Sequence, residues 1–176
     1  MRVGEIETPI IYIKGKRAHV MAMGALKPIG SAIKVAKRLK QECGTELIHF
    51  VDLDALNGKR VNYDVYDHLT FLMYVEVEVR PEPSMIKPLL EMNARVVVPL
   101  PSKIDLSQFA GHRRLLVGKM PPSYKGPVDG VFDIYLDGEA EATAKKLIKM
   151  GKRVLVNAAE NKGVKGVFAR IADPRL

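Results

Sequence analysis

Short apolar runs alternate with stretches of helical periodicity along this chain. Residues 9–13, 47–53, 71–79, 95–98, 115–117, 131–136, 154–157 and 167–171 read as strands. Most are brief and apolar throughout, the character of buried parallel strands. The run 71–79 is different. Glu76 and Glu78 alternate with Val75, Val77 and Val79, so one side of that strand is polar. Residues 18–23 read as a return strand that makes a hairpin around Gly15.

Helical patterns lie between the strands. Pro28 opens one that runs to Cys43, with Ile29, Ile33, Ala36 and Leu39 on one face and Lys34, Lys37, Arg38 and Gln41 on the other. Gly44 stands where a left-handed cap is expected. Residues 63–69 form a short helix, and Pro88 limits 84–93 to a short or kinked one. Residues 105–110 suit a single helical turn. Asp137 is placed to cap a helix with Glu139 and Glu141 in its first turn and Lys145, Lys146 and Lys149 in its last, a polarity that complements the helix dipole.

Alternation of this kind predicts a parallel sheet covered by helices. Eight strand segments predict a compact (β/α)₈ barrel in one domain spanning 1–176. Such barrels run to about 250 residues and sometimes only about 200, so this one has shed covering helices. Pro121, Pro122, Gly126 and Pro127 interrupt the segment after the fifth strand, and 159–166 after the seventh is too short. Helices are therefore expected to be missing after strands five, seven and eight. An open doubly wound sheet is the alternative architecture.

Composition narrows the class. Hydrophobic residues make up 47% and charged residues 27%, which excludes a disordered chain. No apolar run approaches the roughly 18 residues of a membrane span, and the N-terminus lacks the apolar centre of a signal peptide. Cys43 is the sole cysteine, so no intrachain disulfide or cysteine metal cage can form. The chain reads as cytoplasmic. The scarcity of glutamine, Gln41 and Gln108, points weakly to a thermophile. Net charge is +8, which favours an anionic partner, either a small metabolite or, weakly, nucleic acid. Trp is absent and aromatics are 6%, so platforms for stacking bases are few.

The strand-end carboxylates Asp52 and Asp54 are the leading candidates for chemistry, because barrels gather ligands at the carboxyl ends of their strands. Alternate strand positions share a face, so the two are able to act together. The competing role is to cap a turn with Asn57, Gly58 and Asn62. The clusters Lys14-Gly15-Lys16-Arg17 and Asn57-Gly58-Lys59-Arg60 suit either a basic rim or solvated turns, and neither has P-loop spacing. His19, His49, His68 and His112 lack zinc-ligand spacing, and His49 reads as a core histidine with one hydrogen bond. Met85 and Met92 suit a helix core. Ser31, Ser84, Ser102 and Ser107 lie in no nucleophile-elbow context. No metal and no cofactor is expected.

The segment PIGSAIKVAKRLKQECGTELIHFVDLDALNGKRVN resembles the first helix and second strand of the histidine-biosynthesis barrels, the ribotide isomerase and the related cyclase of imidazole glycerol phosphate synthase. PIIYIKGKRAHV resembles their first strand and GVFARI their eighth. The resemblance implies a phosphorylated sugar or ribotide at the carboxyl-end face and an aldose–ketose isomerisation. It also exposes departures. The family's aspartates near the ends of strands one and five are replaced by Tyr12 and by Gly118 or Lys119. With unperturbed pKa values near 10, Tyr and Lys are poor substitutes for a carboxylate pair. The family's glycine-rich phosphate turns are replaced by Arg80-Pro81-Glu82-Pro83, by Pro99, by Ala158-Ala159 and by Ala169. The family reaction is therefore expected to be lost. A small anionic ligand would rest on side chains, with Arg80, Lys119 and Arg170 as its cations and Asp133 and Asn157 beside them. In a surviving reaction Asp52 or Asp54 would be the base and Lys119 or Tyr12 its partner. The alternative is a non-catalytic scaffold or nucleic-acid-binding module that uses its basic surface.

Overall fold

The computed structural model describes residues 4–176. In chain order its strands are β1 (Ile6–Lys14), β2 (Arg17–Ala22), β3 (Ala25–Ser31), β4 (Leu47–Asp52), β5 (Tyr74–Glu78), β6 (Arg95–Pro99), β7 (Leu116–Met120), β8 (Asp133–Leu136), β9 (Arg153–Asn157) and β10 (Ala169–Ala172). Strand β1 and strands β4 to β10 pair in parallel, each with its neighbour in sequence. β10 returns to β1, with Ile6 opposite Ala169 and Pro9 opposite Ala172, and this closes an eight-stranded barrel. That closure excludes the open sheet. β2 and β3 form the antiparallel hairpin, which continues the sheet from the last three residues of β1.

The alternation of side chains separates two cores. Outward residues such as Ile11, Ile13, Phe50, Val75, Val77, Val96 and Val98 lie under the helices with Leu39, Tyr66, Leu69 and Leu89. Inward residues Leu47, Val97, Val117, Tyr135, Leu155, Ala169 and Ile171 fill the lumen. This is the packed interior expected of a barrel of this size.

The helices are α1 (Ala32–Cys43), α2 (Leu53–Leu56), α3 (Tyr63–Leu69), α4 (Pro83–Glu91) and α5 (Glu141–Lys149), with a 3₁₀ helix at Leu106–Leu115. Segments 121–132 and 158–168 carry no helix. The Gly44 cap is left-handed, with φ 66°.

Several local expectations are corrected. Pro28 does not open α1 but lies in β3 opposite His19; the cap is Ser31, whose Oγ accepts the Lys34 N–H at 3.3 Å. Residues 71–73 are not strand, because the chain is still closing α3 there, with the Met73 N–H donating to the Leu69 carbonyl at 2.9 Å. Pro88 is accommodated inside α4. Its missing N–H leaves the Ser84 carbonyl short of an intrahelical donor, and the Tyr63 hydroxyl donates there at 3.3 Å. Asp137 does not cap α5. Ala140 holds that position, and its N–H donates to the Asn161 side-chain oxygen at 2.9 Å.

Candidate functional site at the mouth of the barrel

The polar side of β5 faces the lumen. Glu76 and Glu78 project inward, and Glu76 stands opposite His49 on β4 and Arg95 on β6. They form part of a connected series of charges. At the carboxyl end, here called the mouth, Lys119 donates to Glu78 Oε1 at 2.8 Å. The other oxygen of Glu78 meets His49 Nε2 at 3.3 Å. His49 Nδ1 lies 2.6 Å from Glu76 Oε2, and Arg95 donates to Glu76 Oε1 at 3.2 Å. Arg95 also pairs with Asp133, which accepts from Arg153 at 2.7 and 2.8 Å at the amino-terminal end, the floor. Cation and anion alternate through the whole barrel.

Burial decides what state these groups hold. His49 and Glu76 are fully buried. Burial opposes a charge on His49, but the hydrogen bonds to Glu76 and Glu78 outweigh it and raise its pKa to about 9. Burial likewise opposes ionisation of Glu78, yet His49 and then Lys119 pull its pKa down to about 2. At neutral pH His49 is therefore protonated and Glu78 ionised.

Tyr12, Tyr135 and Asn157 complete the mouth. Tyr135 donates its hydroxyl to Asn157 Oδ1 at 2.7 Å, and its ring lies 5.7 Å from the Lys119 ammonium. The same ring meets His49 edge-on, with centroids 5.2 Å apart. Asn161 fixes the loops around this corner, donating to the Gly138 and Asn157 carbonyls at 3.0 Å each. The pKa of Tyr12 is raised, first by burial and then by the carboxylates of Glu78, Asp173 and Asp137, with Lys119 acting the other way. Three carboxylates thus act on that phenol in one sense and one ammonium in the other.

The sequence candidates divide between the two faces of the sheet. Lys119, Tyr12 and Asn157 reach the mouth. Asp52 does not; its side chain lies in the outer layer, where it is fully buried. It accepts from the Ala55 and Asn62 N–H groups at 3.0 and 2.9 Å, from Asn62 Nδ2 at 3.0 Å and from the Tyr66 hydroxyl at 2.8 Å. Asp54 accepts from the Gly15 N–H at 2.8 Å and from Asn62 at 3.0 Å, which ties the β1–β2 turn to the loop after β4. Burial raises its pKa, but those hydrogen bonds prevail and lower it. The two carboxylates thus do not converge on the lumen, because Asp52 shares the outward face of β4 with Phe50 and Asp54 already belongs to α2.

Asp133 is at the opposite end from the one expected, since it begins β8, three residues before the carboxyl end at Leu136. Arg80 lies across the loop after β4, donating to the Leu56 carbonyl at 2.9 Å. Arg170 points outward, paired with Glu5 at 3.0 and 3.2 Å and with the Asn161 carbonyl at 3.0 Å. Glu78, Glu76, His49 and Tyr135 were not singled out as site residues from sequence, although the Glu76–Glu78 alternation was the available signal. His49 has two carboxylate partners rather than one hydrogen bond. A separate cleft of about 330 Å³ lies outside the barrel wall, between Glu7, Pro9, Leu39, Thr45, Ala172 and Arg175.

Among the described residues no group of acidic, histidine or cysteine side chains could hold a metal ion, and no helix is long and apolar enough to cross a membrane.

The closed parallel barrel with helices between its strands is of the TIM type. A similar solved structure is the dihydropteroate synthase from Thermus thermophilus in complex with 6HMPPP, with a TM-score of 0.56 at 14% identity over 98% of this chain and 88% of that one. At that identity the likeness establishes the fold alone. No family model and no curated protein matches the sequence. The resemblance to the histidine-biosynthesis barrels is therefore supported as far as the fold and not as far as that family.

Proposed function

We propose that this barrel binds a small hydroxyl-bearing metabolite at its mouth, held by Lys119, Tyr12, Tyr135 and Asn157 around the fixed Glu78 carboxylate. The observation that carries the reading is the half-buried Glu78–Lys119 pair, backed from inside by a protonated His49. Groups held this rigidly are pre-organised, which lowers the entropic cost of binding.

The charge of the ligand follows from the surroundings of Lys119. That ammonium is already paired with Glu78, and Arg80 and Arg170 are engaged elsewhere, so a phosphorylated sugar would find no unpaired cation among them. That balance favours a neutral or amine-bearing polyol over the phosphorylated sugar implied by the family resemblance. The aldose–ketose isomerisation is assigned no step here. Tyr12 and Lys119 stand where its carboxylates would, and Asp52 is bound up in the outer layer.

A thermal-shift panel of neutral sugars, amino sugars and their phosphate esters tests this reading, since a ligand at 100 times its Kd stabilises by about 2.7 kcal/mol. Neutral or amino sugars are expected to raise Tm, and Tyr12→Phe and Asn157→Ala to remove the shift. Stabilisation by the phosphate esters alone would restore the anionic reading. A shift that survives both substitutions would place the site elsewhere.

A further inference from the structure

The floor of the barrel carries charge that the ligand reading does not use. Arg113 and Arg114 close the 3₁₀ helix before β7, Phe132 precedes β8, Lys152 and Arg153 stand at the start of β9, and Phe168 precedes β10. The Arg153 guanidinium is 3.8 Å from the Phe168 ring centroid and 4.9 Å from that of Phe132. Arg113 and Arg114 approach the same Phe132 ring at 5.9 and 6.0 Å. Three guanidiniums therefore surround one half-buried phenyl ring.

The nearby acids do not balance them. Asp133 is fully buried and already shared by Arg95 and Arg153. Asp129 takes Arg113 through its backbone carbonyl, at 2.8 Å, rather than through its carboxylate. The Lys152 ammonium donates to the Val131 carbonyl at 2.6 Å. Its pKa is lowered, first by burial and then by the charge on Arg113, with Asp129 and Asp133 opposing. The cations here crowd one another.

We propose that this floor docks the phosphodiester backbone of a nucleic-acid strand, with Arg113, Arg114 and Lys152 as the phosphate contacts. Planar guanidinium forks match phosphate oxygens, and stacking on a ring holds them ready. Phe132 is already faced by guanidiniums, so no base needs to stack on it. Contacts of this kind position a strand without reading its sequence. A phosphate-rich membrane or an acidic protein shares the charge but not the repeated phosphodiester, and the experiment separates them.

The test is fluorescence anisotropy with end-labelled, mixed-sequence single-stranded RNA and DNA on the full chain. Each phosphate contact contributes about −0.7 to the log–log salt slope for a single strand. Three contacts predict a slope of about −2, or roughly a 20-fold loss between 50 and 200 mM salt. RNA and DNA are expected to bind alike. Arg114→Glu, an exposed side chain that leaves the Arg113 hydrogen bond intact, should weaken binding several-fold, and Arg113→Glu with Arg114→Glu at least 10-fold. The equal charge reversal Lys34→Glu with Lys37→Glu, on the exposed face of α1, should change it less than 2-fold. Circular dichroism confirms that each variant is folded, and Arg114→Glu alone decides the matter if the double variant is not. The proposal is overturned by equal losses at α1, by no binding at 50 mM salt, or by phosphatidylserine vesicles or polyglutamate outcompeting the oligonucleotides.

Discussion

At the mouth, Tyr12 feels the negative charge of Glu78, Asp173 and Asp137, with Lys119 as the opposing ammonium. At the floor, Phe132 lies among the guanidiniums of Arg113, Arg114 and Arg153. The two ends belong to the same eight strands, and the series of hydrogen-bonded pairs from Lys119 to Arg153 joins them. A net charge of +8 is silent about this division, because a sum cannot locate its terms. The local sign is decided by which residues begin a strand, which end it, and which face inward. Arg95, Asp133 and Arg153 begin their strands, whereas Glu78 and Asn157 end theirs.

The joining series is the part whose loss should be felt most. Glu76 lies fully buried between His49 and Arg95, and Glu76→Gln leaves two buried cations short of a carboxylate. Removing one partner of a buried ion pair costs about 3–5 kcal/mol. Urea denaturation should show a loss near 4 kcal/mol. An unchanged midpoint would mean that Glu76 does not hold His49 and Arg95 together and that the two ends are independent.

Asp52 provides the contrast on the outer face of the sheet. Asp52→Ala leaves the Ala55 and Asn62 N–H groups, the Asn62 amide and the Tyr66 hydroxyl without their acceptor. Each buried donor left unmet costs about 1–3 kcal/mol, and partial relaxation leaves an expected loss of about 3 kcal/mol. Calorimetry should record that loss while binding at the mouth is kept in the protein that remains folded. Abolished binding in a variant with the parent's melting temperature would return Asp52 to the site.

The alternation that makes the barrel was legible in the sequence because each wall strand needs an apolar outward row, such as Val75 and Val77 or Val96 and Val98. The missing helices were legible too, since Pro121, Pro122 and Pro127 cannot continue one. What was not legible was the phase at strand ends. Asp52 and Asp54 share a face only if the strand runs through both, and helix α2 begins between them. Asp133 begins β8 and lies three residues before its carboxyl end at Leu136, so its end of the barrel depends on where the strand starts. The partners of Glu76 and Glu78 come from strands up to 41 residues away, as Lys119 does, and no local pattern announces them.

The pH dependence should follow the same series. His49 has its pKa raised to about 9, so its contribution is complete below its unfolded value near 6.5 and is lost as pH rises through 9. Glu78 works in the opposite sense: its contribution is present above about 4.5 and is lost as pH falls through 2. The groups facing His49 are Glu76, Glu78 and the Tyr135 ring. Stability should be flat from about pH 4.5 to 6.5 as far as this pair is concerned and fall by about 3 kcal/mol towards pH 9.5. Denaturation curves across that range should show the decline in the parent and a flatter alkaline limb in His49→Gln. An equal decline in both would assign the effect to other groups.

The smallest change in stability is expected at Lys119, and it carries the most information about how the mouth is held. Its side chain is 30% exposed, so water already screens its pair with Glu78. Exposed and half-exposed pairs contribute about 1 kcal/mol or less, and Lys119→Met should lose no more than that. The electrostatic consequence should be clearer than the energetic one. Without the ammonium, Glu78 exerts its full negative potential on His49 through the 3.3 Å contact. The His49 imidazolium should then hold its proton to higher pH than in the parent, and the carboxyl of Glu78 should titrate at higher pH as well. Nitrogen chemical shifts of the His49 ring across pH 7–10 read the first change directly. An unmoved His49 titration would mean that the charge at the mouth is not felt one residue into the barrel. The Glu78–Lys119 pair would then be a surface feature rather than the outer end of a series that reaches the floor.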